Sequence, residues 1–404
     1  MAVYRIPTRC HACLQRIHLR IVIAGGEQPF MITCPHCQIE QRGRFFAKPD
    51  SPYTFRSDDL VVEDEDVSEG LAIMVATDMP VHLSFFGTSV DADEHFRSPF
   101  FYLMGQLGAK PIMDLMPRIE KLRHIRENWY PPLRRAAGAY ARRDSVGLRN
   151  SLKSLPGGRE IDWANRDPYS DFEVATTQIF EPFEDSGMRT AASRELLQLA
   201  GETRRNCRTK LRGLLDDYRS ALTGHRGRVV DVVFSALGDL DALYPAMWVE
   251  VMEARVNLEE YRVMRDDFNA RKMLYQDLFE LGSRTLAFTA PIANLVKRGA
   301  VNLYADGTRR TLQKARKEKA SVRESWLADF PVAKVMYENM SRNTRNDFGH
   351  ALARHDAARD VLVFDDGREQ RYLLFLVDTV AALRLSHYLL DVLYIVDILD
   401  RSFN

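Results

Sequence analysis

Two cysteine knuckles near the start constrain this chain more than any other feature. "CHAC" (Cys10, Cys13) and "CPHC" (Cys34, Cys37) give C-x2-C, twenty residues, C-x2-C. Two residues between thiolates let one tight turn present both sulfurs to a tetrahedral ion, and the spacing matches a four-thiolate zinc site. Cys10, Cys13, Cys34 and Cys37 are therefore expected to hold a structural Zn2+. Four of the five cysteines lie here, which suits metal binding in a reducing compartment better than disulfides. The stretch between the knuckles reads as a hairpin: "IHLRIVI" alternates as a strand does, "AGGEQP" is turn chemistry and "FMIT" is the return strand. About thirty residues cannot bury enough core alone, so the metal would hold this unit folded. His11 and His36 lie inside the knuckles, where each could replace a thiolate or face solvent as a turn residue.

Over residues 8 to 40 the knuckle pattern resembles the zinc-ribbon family. The resemblance implies a small β module of structural role, of a kind that also contacts nucleic acid or protein.

The remaining chain is long enough for two or three domains in its 404 residues. Its 56 basic and 56 acidic side chains cancel, so any attraction to nucleic acid or acidic lipid must be local. The start "MAVYRIPTRC" lacks a signal-peptide pattern, and the apolar stretch near the C-terminus is interrupted by Asp378, Arg384, Asp391 and Asp397. A cytoplasmic protein with no membrane partner is expected.

Organisation is read as a zinc ribbon over 1–45, an acidic linker and short mixed segment over 46–98, a basic helical region over 99–228 and a helical domain over 229–404. The class is mainly α with a small N-terminal β ribbon. In the second segment Asp50 to Gly70 looks like a linker or an exposed edge, and "LAIMVATDMPVHLSFFG" offers apolar runs that are strands or the start of a helical core. Helical breaks are expected at "YPP" (130–132), "LPGGREIDWANRDPYSD" (155–171), "TGHRG" (223–227) and "YADGTR" (304–309). Three basic runs stand out: Arg118 to Glu160, with eleven Lys/Arg against four Asp/Glu; Met188 to Arg228; and Arg309 to Arg323. Such runs are solvated helix faces or a path for a phosphate backbone. The phosphate loop, the H-E-x-x-H zinc motif and the G-x-S-x-G elbow are all absent.

One polar stretch departs from ordinary helix. In "FPVAKVMYENMSRNTRNDFGHALARHD", Val332, Met336, Met340, Phe348 and Leu352 mark a buried stripe, while Arg342, Asn346, His350 and Arg354 fall at steps of four on the other side. Any amphipathic helix has a polar face. Here, however, Asn is a poor helix former and Gly349 costs about 1 kcal/mol relative to Ala, while leaving room beside His350 for something large. His355 lies off this ridge with a surface role expected, and His387 sits on a nearly apolar helix as a core or interface histidine.

"RNDFGH" (Arg345, Asn346, three residues, His350) resembles the R-[N/D/H]-x3-H motif of the HEPN superfamily, all-helical domains of prokaryotic toxins, anti-phage proteins and RNA-guided nucleases. The resemblance implies a C-terminal HEPN-like bundle with metal-independent endoribonuclease activity at a site shared by two bundles, commonly across a homodimer. It also implies a toxin or anti-phage (abortive infection) role, with a phage or antitoxin protein as a further partner. His350 would transfer protons at neutral pH. Arg345 would offer its planar fork to phosphate oxygens, and Asn346 would orient the imidazole or bond the ribose. Arg342 and Arg354 would grip the RNA substrate. The competing expectations are a non-catalytic RNA- or protein-binding module, and a zinc-ribbon DNA regulator, the latter weakened by the lack of a helix-turn-helix with an exposed recognition face.

Overall fold

A computed structural model of the chain describes residues 3–23, 26–47, 52–63, 70–89, 98–160, 162, 166–183, 186–206, 208–265, 267–338 and 353–401. Among these residues it has thirteen α-helices and small sheets concentrated near the N-terminus, which is the mainly α class expected. Two compact units divide the chain, each drawn from three segments. Unit 1 takes Met1–Arg123, Leu240–Lys272 and Asn346–Val377; unit 2 takes His124–Asp239, Met273–Arg345 and Asp378–Asn404.

In unit 1 the chain opens with β1 (Val3–Cys10), β2 (Arg16–Val22), β3 (Glu27–Thr33) and β4 (Glu40–Phe46). The two middle strands form where alternation places them, but they do not pair with each other. β1 and β2 make one antiparallel hairpin, from Val3↔Val22 to Arg9↔Arg16, and β3 and β4 make another, from Glu27↔Phe46 to Thr33↔Glu40. Each knuckle is therefore the turn of its own hairpin, and the expected β2–β3 hairpin is corrected. The physical reason is that both edges of β2 are already taken, by β1 and by the parallel strand β7 (Leu71–Val75). As the middle strand of a five-stranded sheet, β2 is covered on both faces, so His18 and Arg20 are buried despite their polar places in the alternation.

The described residues between 52 and 89 contribute strands to these sheets. β5 (Thr54–Arg56) pairs with β4, β6 (Leu60–Val62) forms an exposed edge on β1, and the apolar run 71–75 is the strand β7, followed by β8 (Val81–His82) and β9 (Phe86–Ser89). In the β3–β4 hairpin Phe30 lies directly opposite Gly43, and its ring covers the space where a Cβ on Gly43 would sit. A fully buried aromatic thus packs across a bare stretch of strand.

Later segments of unit 1 return to these strands. β10 (Tyr261–Arg262) pairs with β8, and β11 (Ala353–Asp356), β12 (Val361–Phe364) and β13 (Glu369–Arg371) form a three-stranded antiparallel sheet. Asp360 ties three segments together. Its Oδ2 accepts from the Val263 amide (2.8 Å), its Oδ1 lies 3.1 Å from His355 Nε2, and its carbonyl accepts from the Tyr372 amide (3.1 Å). It is buried and holds φ +53°, a conformation that Asp tolerates better than most residues. His355, expected at the surface, is instead buried at the side chain and packs its ring 4.7 Å from that of Tyr372. The Tyr372 hydroxyl donates to Asp267 (2.7 Å), which also pairs with the buried Arg265 (2.8 Å). Helices of this unit include α1 (Pro99–Leu107), α2 (Ala109–His124) and α8 (Tyr244–Met252).

Unit 2 is built on α3 (Tyr130–Ala141), α4 (Ser145–Leu152), α5 (Pro168–Phe180), α6 (Ser186–Asn206), α7 (Arg208–Gly238), α9 (Phe268–Arg298), the short α10 (Leu312–Lys317) and α11 (Ala320–Glu324), α12 (Pro331–Glu338) and α13 (Tyr372–Arg401). Helices α9 and α13 have their first residues in unit 1. The break at 304–309 falls between helices as expected, and the one at 155–171 starts after α4 but ends inside α5, whose first turn is Pro168–Asp171. At "YPP" the chain stays helical through a π turn (Ile125–Trp129): Pro131 and Pro132 have no N–H to continue the α ladder, and Tyr130 donates to the Ile125 carbonyl instead.

At "TGHRG" there is no break, because α7 runs straight through it. Glycine there weakens the helix by about 1 kcal/mol each, but His225 anchors it. Its Nε2 donates to Thr285 Oγ1 (2.9 Å), whose hydroxyl in turn donates to the Leu281 carbonyl (2.8 Å), and its ring stacks on Phe288. The segment Tyr372–Val396 of α13 has the length and apolarity to cross a bilayer, and 78% of it is buried within the fold. This matches a core helix.

Two outcomes follow from this packing. Gly43→Ala should destabilise the protein by about 1–3 kcal/mol through overpacking against Phe30, and Phe30→Leu in the same chain should recover part of the loss, as read by thermal and urea unfolding. Burial, with Arg284, Arg316 and Arg228 nearby, lowers the His225 pKa to about 4 in the folded state. Unfolded, it would titrate near 6.5, so its contribution is complete above that pH and is lost as pH falls toward 4, by about 3 kcal/mol in all. His225→Gln should flatten the unfolding free energy between those two pH values.

Candidate metal centre and the motif segment

The two knuckles repeat one backbone pattern. In the first, Cys10 N–H donates to the Gln15 carbonyl (3.0 Å) and Leu14 N–H to the Cys10 carbonyl (2.9 Å); in the second, Cys34 N–H donates to Ile39 (2.9 Å) and Gln38 N–H to Cys34 (2.9 Å). Leu14 and Gln38 occupy the same place in each and share left-handed φ values of +61° and +62°. The chain reverses through these residues so that both cysteines of a knuckle face inward.

The result is a cluster in which the four sulfurs lie within 4.8 Å of one another and could hold one metal ion. Cys10 and Cys37 Sγ are 3.7 Å apart, and Cys13 and Cys34 Sγ 3.8 Å, far beyond a disulfide bond of about 2.05 Å. Each close pair joins one knuckle to the other, so an ion at the centre would cross-link hairpins that belong to different sheets. Cys10 and Cys34 are fully buried. Burial pushes the Cys34 thiol up to about 12 and raises Cys10 as well, while the Ile39 amide holds Cys37 below the usual thiol value. Buried sulfurs of this kind become thiolates only where a cation replaces the lost hydration, so the donor set fits a resident metal. The His11 ring faces the Asp58 carbonyl (3.3 Å) and His36 is exposed, so among the described residues the cluster is made by cysteines alone.

Beside the hairpins a recess of about 720 Å³ runs along β4 and β5. Arg42, Arg44 and Arg56 line it together with Glu27, Glu40, Asp58 and Asp59, and Arg42–Glu40 (3.4 Å) and Arg44–Glu27 (3.6 Å) already pair. Its four carboxylates outnumber its three arginines, so it is not built to attract a polyanion.

Of the residues expected to act on RNA, Arg342, Arg345, Asn346 and His350 lie outside the described residues. The preceding helix α12 carries the first part of the buried stripe, with Met336 in the core. Arg354 is exposed, and it stands on strand β11 opposite Val363, so the ridge of four does not continue to it as helix. The β-branched Val361 and Val363 across the ladder favour extended pairing there over another helical turn.

Sequence reasoning passed over a polar cluster in unit 2. Arg384, His387, Tyr388 and Asp391 of α13 line an enclosed cavity of about 30 Å³ with Ser193 of α6 and Met336 of α12. The Tyr388 hydroxyl donates to Glu195, whose other oxygen accepts from the Val332 amide (3.1 Å) at the start of α12. Burial raises the Tyr388 phenol far above its usual value. The space suits a single water and is too small for a nucleotide. His387 stacks on Phe180 (4.2 Å) and is buried, in keeping with the core histidine expected from its apolar helix. Steps of three and four along α13 mark these residues; Glu195 comes from a distant part of the sequence and carries no such mark.

The metal centre has a direct test. The purified chain should carry one equivalent of a thiophilic divalent ion by elemental analysis. Cys10→Ser or Cys34→Ser should reduce that content and increase protease cleavage within residues 3–46, because the buried thiolates would lose a shared counter-charge.

No protein-family model, curated protein or solved structure matches this chain.

Proposed function

We propose that this chain is a HEPN-type endoribonuclease that cleaves RNA without a catalytic metal and carries structural zinc in its N-terminal ribbon. The observation that carries the reading is the sequence Arg345-Asn346-x3-His350 in a mainly helical chain. The thirteen α-helices among the described residues support it.

RNA brings its own nucleophile. The 2′-oxygen attacks the adjacent phosphorus, the bond from phosphorus to the 5′-oxygen breaks, and the proton lost from the 2′-hydroxyl is balanced by one delivered to the leaving oxygen. The products are a 2′,3′-cyclic phosphate and a 5′-hydroxyl. His350 moves a proton in this scheme, Arg345 stabilises the charge building on the phosphate oxygens, and Asn346 orients the imidazole. One chain supplies one motif histidine, so acid and base together call for a homodimer. Arg342 and the exposed Arg354 are assigned to substrate grip. A toxin or anti-phage role, with a phage or antitoxin protein as regulator, extends the same proposal by family analogy.

Zinc is the ion we assign to the ribbon. A tetrahedron with Zn–S bonds of about 2.3 Å has edges of about 3.8 Å, and the two sulfur separations of 3.7 and 3.8 Å support that size. Its chemistry there would be structural, since four thiolates leave no open position for water. A second reading, a non-catalytic RNA- or protein-binding module, draws on Leu14 (60% exposed) and Ile39 (50% exposed), apolar side chains presented at the knuckle tips.

Incubating purified protein with RNA in excess EDTA decides between these readings. Cleavage giving cyclic-phosphate and 5′-hydroxyl ends is expected for the wild type. Arg345→Ala and His350→Ala should each lower it by about 10²-fold or more, on the scale of a lost acid–base or oxyanion group. Full activity in folded His350→Ala would overturn the assignment.

A further inference from the structure

Within the first basic run, Arg118 pairs with Glu250 (2.8 Å) and Arg123 with Asp78 (3.8 Å), whereas five later cations gather on one helical hairpin. Helices α3 and α4 pack on each other across a three-residue turn. Their inner faces are apolar, with Leu133, Ala136, Tyr140, Leu148 and Leu152 buried. Outward stand Arg134, Arg135, Arg142 and Lys153, with Arg149 half-buried beside them. None of these five forms an ion pair with a carboxylate among the described residues. The one acid between Tyr130 and Leu152, Asp144, is committed elsewhere: it caps α4, accepting from the Gly147 amide (2.8 Å). The third run differs, because Arg310 pairs with Asp306 and Glu318 and Arg323 is buried against Ser283.

Two details point to an anion. The half-buried Arg149 has no carboxylate partner among the described residues, and its Nε–H finds no acceptor within the fold, so its charge is left for an outside anion to balance. Gly138 lies four residues from both Arg134 and Arg142, so the three form one ridge with a bare centre. A Cβ there would meet only the mobile end of Arg142 (3.4 Å), so nothing in the fold demands glycine, although Ala would make a better helix by about 1 kcal/mol. A phosphate group could approach the helix backbone at that point between two guanidinium forks.

We infer that the α3–α4 hairpin is the docking surface for the phosphate backbone of single-stranded RNA, with Arg134 and Arg142 flanking Gly138 and Arg149 and Lys153 continuing the path on α4. Arg135 and Arg142 are seven residues apart, two helical turns or about 10.5 Å, so the surface spans more than one phosphate. The choice of RNA rests on the cleavage reading above. The location of the surface rests on the hairpin itself.

The test uses the full chain and a fluorescent, 2′-O-methylated RNA of about 20 nucleotides, which binds but cannot be cleaved. The salt dependence of Kd is compared for wild type, Arg134→Gln/Arg135→Gln/Arg142→Gln, and a control triple at exposed lysines, Lys314→Gln/Lys317→Gln/Lys319→Gln. Losing three phosphate contacts should make the slope of log K against log salt shallower by about 2 and weaken binding at least tenfold at low salt, with unchanged melting temperature. The control should keep the wild-type slope. Equal losses in both triples, or no loss in the hairpin triple, would overturn the inference, as would hairpin-dependent binding to phosphatidylserine vesicles without RNA binding. Cleavage is measured separately with unmodified RNA: hairpin-dependent binding without cleavage would sink the ribonuclease reading alone, and cleavage with an unchanged KM in the hairpin triple would sink this one alone.

Discussion

Four sulfurs gathered from two hairpins set the terms for the N-terminal part of this protein. Cys10 and Cys34 are fully buried, and each knuckle closes through its own backbone hydrogen bonds. The two knuckles meet through their sulfurs, with Cys10 beside Cys37 (3.7 Å) and Cys13 beside Cys34 (3.8 Å). A shared cation would resolve the conflict between burial and ionisation, and in doing so would join two sheets whose strands follow different neighbours. The left-handed Leu14 and Gln38 are the local strain that accompanies this arrangement, a cost of about 1–2 kcal/mol for each non-glycine residue.

Once the hairpins are set, the strands they expose recruit distant chain. β2 gains β7 on one edge, β1 gains β6, and β8 gains β10 from nearly two hundred residues away. Asp360 then holds three further segments through both carboxylate oxygens and its carbonyl. Each of these is a hydrogen-bonding group that burial would otherwise leave unsatisfied. This is why unit 1 is assembled from three separated stretches, and why strands form within residues 54–89.

Legibility varied with how local the cause was. The cysteine spacing announced the metal cluster, since two residues between thiolates have little other reason to recur. Strand β2 was legible from alternation, and the turn at 304–309 from its Asp-Gly pair. The helix through "TGHRG" was not, because His225 is held by Thr285 and Phe288, sixty residues further on. Arg354 and His355 read as helix for a related reason: their strand is specified by the opposite ladder partners Val363 and Leu362, and a period of four counted within one segment cannot register a neighbour.

By itself the sequence determined the ligand set of the metal centre, the predominance of helix, the motif Arg345-Asn346-x3-His350 and the basic composition of residues 118–160. These depend on residue type and short spacing, which the covalent chain preserves in any fold. Tertiary structure alone decided which strands pair, that His355 is buried against Tyr372 and which arginines of the α3–α4 hairpin stand without a carboxylate among the described residues. In each case a group's hydration and its neighbours set its energy, and folding brings those together from far apart in the chain.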